Sequence, residues 1–543
     1  MSSLESLVEG PTQSEPILAA RSRMPLRNSP ATILWMVLTI AVLLNCTIIV
    51  VTIDDYFDAQ EHSWVATHHL LMARNFAKFG IFHLHGIPVQ NNPPDGLERD
   101  VYVHWPPLYP MLLGEVFRIF GESERVARLT VLVIALLTAL VIFQLTRWCC
   151  GMRAGILAAA AWLCFPVVFT FGIFIMPLNL GNLFLVFAIL CFLKRIEADE
   201  PSVWTITGVT SFALAALSSW EPMLAAAGLL LAAWAYSGRR TVRLSILYAS
   251  VGAAAQVLVL CTYLLASPVQ RAQIWQTLLY RLGFEHRLPT ETPLHGLAAQ
   301  WWYERCGQAT FAQISKRLLQ YSVKEFGIFG LVACLAAATT LLLLRGRNQF
   351  RHPVIVFAAI FAPGVLWYLG MRNHAYQHTY EMLAFAPALA ILLGAGYVRL
   401  ESFLYGRNWD SAVLGFQAVL AIGILAPLAT NTSFQIRHHQ PFTWQTLYAT
   451  TIERTTPSEA VILSTEASMV PVYYSHRHVI QYVTTDNHVE EVLSRVHTIF
   501  PDAPVYLALP PGAERLFPKT MQNYGARQYG DYLILVDLGA RPR

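Results

Sequence analysis

The stretch ATILWMVLTIAVLLNCTIIVVTIDDYFDAQEH, Ala31 to His62, runs through about twenty uncharged, mostly apolar residues and then presents Asp54, Asp55, Asp58 and Glu61. A helix rises about 1.5 Å per residue, so roughly twenty apolar residues cover a hydrocarbon core of about 30 Å. The carboxylates that follow are too costly to leave in that core, so they mark where the chain meets water. The apolar run is too long for the core of a cleaved signal, and no small-residue cleavage site follows it. It reads as a retained anchor.

The rest of the chain repeats the pattern. Only 13% of the 543 residues are charged, 55% are hydrophobic and the mean hydropathy is +0.44. A soluble globular protein carries roughly 25% charged residues. Spans are expected at about 31–51, 123–147, 154–172, 177–194, 203–219, 222–237, 244–266, 325–345, 353–370, 379–399 and 411–430. The expected fold class is a polytopic α-helical membrane protein of about 11 transmembrane helices. A net charge of +4 and the lack of a basic stripe interleaved with aromatics exclude nucleic acid as a partner. Most of the eight cysteines lie inside apolar runs, and the adjacent Cys149 and Cys150 have no metal-ligand partner at useful spacing. No disulfide or zinc framework follows.

Lys and Arg favour cytoplasmic loops, and that bias orients the spans. The basic connections hold Arg21, Arg23 and Arg27; Arg147 and Arg153; Lys194 and Arg195; Arg239, Arg240 and Arg243; Arg345, Arg347 and Arg351; Arg399 and Arg407. Every second connection is basic. The alternation puts a tail of residues 1–30 in the cytoplasm and the carboxyl terminus outside. HWPPLYPMLLGEVFRIFG, His104–Gly121, would reverse the alternation if counted as a span. Its short apolar run, with Glu115 and Arg118 three apart on one face, suits a helix lying in the interface instead. Pro106 and Pro107 then fall at its first turn, where a missing N–H costs little.

The membrane part, 31–430, then carries two large outer loops, 52–122 and 267–324, and is followed by an outer region at 431–543. That region reads AVILST, HVIQYV, PVYLALP and DYLILVDL as strands, with NHVEEVLSRVHTIF as a helix capped by Asn487. Strands alternating with helix predict a small C-terminal α/β domain. In the second loop, QWWYERC and KRLLQYSVKEFG are expected to form an interfacial helix pair able to gate a lipid.

The four acids at the exit admit two readings, a solvated loop or a carboxylate held at the interface as a general base. The same loop carries His62, His68, His69, His83, His85 and His104, but no His-x-x-His or His-Glu-x-x-His spacing. No metal ligand is assigned and no cofactor is required; a loosely held divalent cation is the one ion such a loop could take. Among outer cations Arg372 stands out, followed by His374 and His378, as a fork for phosphate oxygens or as an interfacial anchor. The second loop adds Arg271, Arg281, His286, Arg287, Arg305, Lys316 and Arg317. Arg74 either faces the same site or caps its own helix. A transporter or lipid flippase would place ionisable residues near span centres, where charges are almost absent here. A surface-polysaccharide polymerase or ligase would gather its cations in one large late loop.

The order of FDAQEH after the first span, LLMARNFAKFG, HWPPLYPMLL, FGESERVARL opening the second span and RNHAYQHTYEMLAFAPALAIL resembles the GT-C superfamily of integral membrane glycosyltransferases. The likeness is greatest to protein O-mannosyltransferases and lipid A aminoarabinose transferases. It implies transfer of a sugar from a polyprenyl-phosphate donor to an acceptor hydroxyl of protein, lipid or glycan. An aspartate of the first outer loop would be the base, Asp58 in FDAQEH first, with Asp54 and Asp55 as close alternatives. Arg372, His374 and His378 would take the donor phosphate. Glu61, His104, Arg74 and Glu221 would line the substrate site. The expected setting is the bacterial inner membrane, with the amino terminus cytoplasmic and the C-terminal domain extracytoplasmic.

Overall fold

The computed structural model describes residues 31–57, 63–91, 101–172, 174–197, 202–236, 239–266, 268–284, 309–344, 351–437, 443–466, 468–481 and 483–539. The membrane part is built from α1 (Thr32–Val51), α2 (Ser63–Phe79), α3 (Leu108–Phe120), α4 (Glu124–Cys150), α5 (Met152–Cys164), α6 (Pro177–Glu197), α7 (Ser202–Ser218), α8 (Ala225–Tyr236) and α9 (Arg239–Ala266). It continues through α10 (Pro268–Leu282), α11 (Phe311–Leu343), α12 (Arg351–Gly370), α13 (Arg372–Gln377), α14 (Ala386–Tyr405) and α15 (Asp410–Arg437). Seven of these, α1, α4, α6, α9, α11, α14 and α15, are long and apolar enough to cross a membrane, and α5, α7, α8 and α12 are shorter apolar helices. Each falls on an expected span. The chain is an integral membrane protein.

Of the seven long helices α6 is the most enclosed, with 78% of its apolar stretch buried, whereas α11 buries only 17%. The bundle therefore centres on α6, and α11 lies at its rim. Leu43 and Val50 on α1, Leu258 on α9, Leu335 on α11 and Ile422 on α15 point outward uncovered. Lipid is the solvent that such faces fit.

Helix α3 is a short separate helix preceded by Pro107 as its N-cap, and Arg118 pairs with Glu115 on one face. Ser123 caps α4 by accepting a hydrogen bond from the Val126 amide at 3.3 Å. In the second large loop KRLLQYSVKEFG is helical. It forms the first half of α11, opened by a capping box between Thr310 and Gln313 and broken at Gly327. Gly327 sits at φ 70°, ψ 155°, a conformation essentially open only to glycine, so α11 is two helical halves joined at a kink there. QWWYERC lies outside the described residues.

The C-terminal region adds α16 (Trp444–Thr455), β1 (Val461–Ser464), α17 (Met469–Tyr474), β2 (His478–Ile480), α18 (Asp486–Ile499), β3 (Val505–Leu509), α19 (Pro518–Asn523), β4 (Ala526–Tyr529) and β5 (Leu533–Asp537). The sheet order is β2-β1-β3-β5-β4, parallel through β2, β1 and β3 and antiparallel at β5 and β4. Every residue of β1 is buried because both faces are covered, which is why the strand reads as a continuous apolar run. On one face Val461, Leu463, Val505 and Leu507 pack with Val489, Val492 and Val496 of α18. On the other, Ile462, Ala508 and Leu535 join Tyr448 and Ile452 of α16 and merge with the core of the membrane part. The cap of α18 is Thr485, whose hydroxyl accepts from the His488 amide at 3.2 Å; Asn487 lies inside the first turn. The unexpected strand β4 is a polar, exposed edge with no apolar signature.

Candidate active site

The chain leaves α1 at Thr52, and the acids separate at once. Asp54 is exposed and takes a two-pronged hydrogen bond from Arg125 of α4, Nε to Oδ1 at 2.5 Å and Nη2 to Oδ2 at 2.9 Å. The Arg125 guanidinium holds the Asp54 carboxyl below the usual range. Asp55 is buried at 6% exposure, and its carbonyl accepts from Arg128 Nη2 at 3.0 Å. The same guanidinium lies 4.2 Å over the Phe57 ring. Asp58 and Glu61 lie outside the described residues.

Helix α2 turns His68 and His69 inward. The Nδ1 of His68 pairs with Gln90 Oε1 at 2.8 Å, and its ring lies 4.9 Å from Tyr102. His69 sits edge-on between Tyr102 at 5.7 Å and Tyr109 at 5.9 Å. Burial pushes these imidazoles down to about 4 and about 3, so both are neutral at pH 7. Tyr102 stacks on His104 at 5.1 Å. The segment His104–Trp105 is pinned by its backbone: Trp220 Nε1 donates to the His104 carbonyl at 2.8 Å and the Tyr263 hydroxyl to the Trp105 carbonyl at 2.6 Å. That leaves the His104 ring free to meet the end of α10. Arg281 Nη2 donates to His104 Nδ1 at 2.8 Å. An arginine can only donate, so the neutral ring carries its proton on Nε2.

The third wall comes from α13 and the 3₁₀ turn Thr379–Ala384. His374 Nε2 stands 2.8 Å from Glu381 Oε1, His378 packs on His374 at 4.6 Å, and Tyr380 stacks on His378 at 4.8 Å. Glu381 faces Glu221, which the 3₁₀ turn Glu221–Leu224 carries in from between α7 and α8, and the Ser219 hydroxyl donates to Glu221. Burial raises both carboxyls above the usual range, while the Arg281 charge pulls Glu381 back toward its ionised form. Burial, and then Arg281, keep His374 well below the usual imidazole range. The result is one enclosed polar patch containing Arg281, His104, His374, His378, Tyr380, Glu381 and Glu221.

Of the residues singled out from sequence, His104, His374, His378 and Glu221 converge here. Arg372 does not join them; it is exposed, and its Nη2 donates to the Gly283 carbonyl at 2.5 Å. Gly283, at φ 77°, has no side chain, and a Cβ there would run into the guanidinium. Arg74 lies against the C-terminal domain, bonded to Glu122 at 2.7 Å, the Tyr473 carbonyl at 2.8 Å and His476 at 3.1 Å. It neither reaches the patch nor caps its helix. Arg281 was one of several cations in the second loop, with nothing local to raise it above the others. Glu381 did have a signal, since it is the lone acid in the otherwise apolar TYEMLAF. Among the described residues no group of three or more His, Cys, Asp or Glu is arranged to hold a metal ion.

Residues 104–269, which include His104, Glu221 and the helices between them, match the family model of dolichyl-phosphate-mannose-protein mannosyltransferases. Among solved structures the chain is similar to the Archaeoglobus fulgidus oligosaccharyltransferase tethered to an acceptor peptide. The TM-score is 0.55 at 15% identity, covering 94% of this chain and 74% of that one. It is also similar to ArnT from Cupriavidus metallidurans bound to undecaprenyl phosphate, with a TM-score of 0.48 at 12% identity, covering 92% of this chain and 97% of that one. No curated protein matches by sequence. The spans make the chain an integral membrane protein, and its residues 104–269 are similar to a glycosyltransferase family. Its fold is shared with the Archaeoglobus fulgidus oligosaccharyltransferase.

Proposed function

We propose that this protein moves a sugar from a polyprenyl-phosphate donor to an acceptor hydroxyl of protein, lipid or glycan at the extracytoplasmic face of a bacterial inner membrane. The acceptor oxygen attacks the anomeric carbon, an aspartate of the segment 54–58 takes its proton, and the lipid phosphate leaves with the bonding electrons. Negative charge grows on that phosphate, so a fixed cation nearby stabilises the transition state more than the ground state. Arg281 suits this role better than Arg372. It is oriented by His104, lies beside the buried carboxyl pair and bears on the patch electrostatically. His374, kept neutral by burial, and the adjacent His378 supply polar contacts to the same region, and Glu221 and His104 line the sugar side.

For the base, Asp58 is the first choice by resemblance. Asp55 is the buried alternative, and Asp54, tied to Arg125, is the weakest of the three. The observation that carries the reading is the Arg281–His104 pair, which joins the two large outer loops within electrostatic reach of Glu381. Its test is incubation of the purified protein in vesicles with labelled polyprenyl-phosphate sugars and a membrane extract. Label transferred by the wild type and lost on Arg281→Gln supports it. Substrate crossing sealed vesicles without any transfer would replace it with a carrier.

A further inference from the structure

We propose that Tyr474 of the C-terminal domain is a positioning residue for the acidic segment 54–58, acting through the Phe57 amide. The inference rests on the proposed function, in which that segment supplies the base.

Beyond Thr52 the segment has no helix or strand of its own to fix it, and its described residues are held by side chains from elsewhere. Helix α4 provides one side: Arg125 holds the Asp54 carboxylate, and Arg128 holds the Asp55 carbonyl and covers the Phe57 ring. The other side comes from the last residue of α17, more than four hundred positions along the chain. The Phe57 amide donates to the Tyr474 hydroxyl at 2.9 Å, and the Tyr56 and Tyr474 rings meet edge to face at 4.9 Å. Phe57 is fully buried and Tyr474 is 4% exposed, so water does not stand in for that hydroxyl as the acceptor. The bond fixes the backbone two residues beyond Asp55.

The domain has a second, separate hold on the membrane part. Arg74 of α2 bonds the Tyr473 carbonyl and His476, stacks over the Tyr473 ring at 4.0 Å, and is itself tied to Glu122. With that hold intact, removing the Tyr474 hydroxyl is expected to leave the domain docked while the segment loosens. A general base displaced by about 1 Å loses on the order of a hundredfold in rate. The residues proposed for the donor phosphate, Arg281, His374 and His378, lie on other elements, so donor KM is expected to stay unchanged.

The test compares Tyr474→Phe with His476→Gln in the full chain in vesicles, reading amide hydrogen exchange in residues 52–57 beside kcat, donor KM and the pH profile of kcat. In Tyr474→Phe, exchange in that peptide is expected to rise about tenfold or more. The kcat is expected to fall about ten- to a hundredfold with donor KM within about twofold, and the pH profile to shift. His476→Gln, which breaks contacts to Glu453 and Arg74 in the same interface, is expected to leave all four near wild type. Unchanged exchange in Tyr474→Phe, faster exchange without loss of kcat, or the same losses in both variants would overturn the proposal. If the wild type transfers nothing from any polyprenyl-phosphate sugar, the proposed function fails, and exchange at 52–57 by itself decides whether Tyr474 holds the segment.

Discussion

Replacing the exit acids one at a time separates a base from a surface ion pair. Asp→Asn is nearly isosteric and leaves the backbone bonds in place, including that from Arg128 to the Asp55 carbonyl. What it removes is the ability to take a proton. General-base catalysis contributes about 10²–10⁴ in rate, so one of Asp55→Asn and Asp58→Asn is expected to lose transfer by that factor. Asp54 belongs to another regime. Its side chain is 61% exposed and that of Arg125 is 64% exposed, where ion pairs contribute little and salt screens them. The arginine also lowers the carboxyl's pKa, which makes Asp54 a poorer proton acceptor at neutral pH. Asp54→Asn should therefore stay within about threefold of wild type. The sign for stability is equally definite: a depressed carboxyl contributes above its unfolded value of about 3.9 and loses the contribution only as pH falls below it. No change in stability from this pair is expected between pH 5 and 9. The assay is initial-rate transfer from a labelled polyprenyl-phosphate sugar across that range, with thermal unfolding as the control for folding. A hundredfold loss in Asp54→Asn, with Asp55→Asn and Asp58→Asn close to wild type, would refute the reasoning.

Three further outcomes follow from the same geometry. Arg281→Gln should lower transfer by about 10²–10³, Arg281→Lys should recover only part of it because a point charge lacks the planar fork, and Arg372→Gln should cost less than about threefold; equal losses at 281 and 372 in the vesicle assay would contradict the assignment. Glu221 and Glu381 both have raised carboxyls, so at neutral pH the folded protein binds more protons than the unfolded chain and loses stability as pH climbs through the raised values. Glu221→Gln cannot ionise and should flatten that decline in a series of melting curves from pH 6 to 9; an unchanged slope counts against the raised Glu221 carboxyl. Gly327→Ala meets no neighbouring atom, yet it forces an ordinary residue into a conformation that glycine tolerates, so a loss of about 1–3 kcal/mol is expected in thermal unfolding. A gain in stability would mean that the bend in α11 is not imposed by the backbone at this residue.

Much of the architecture was present in local sequence. Apolar run length fixes a span wherever it occurs, because the cost of leaving a backbone or a charge in hydrocarbon does not depend on what lies next to it. That is why the spans, the separate helix 108–120 and four of the five strands could be read in advance. Three features could not. The edge strand β4 is polar and carries no apolar pattern, Gly327 looks like any other glycine in a helix, and the cap of α18 fell two residues away from the asparagine that suggested it. The candidate site was legible only in its parts. HWPP, RNHAYQH and the acids of 54–61 announced polar chemistry at an interface. Which acid is tied to a surface arginine, which of many cations meets His104, and which tyrosine holds Phe57 depend on neighbours separated by 71, 177 and 417 positions. Hydrophobicity and helix rise act along the chain and are fixed by composition. Hydrogen bonds and ion pairs act across space, over about 3 Å, and only the packed helices and the docked C-terminal domain determine who stands within that distance.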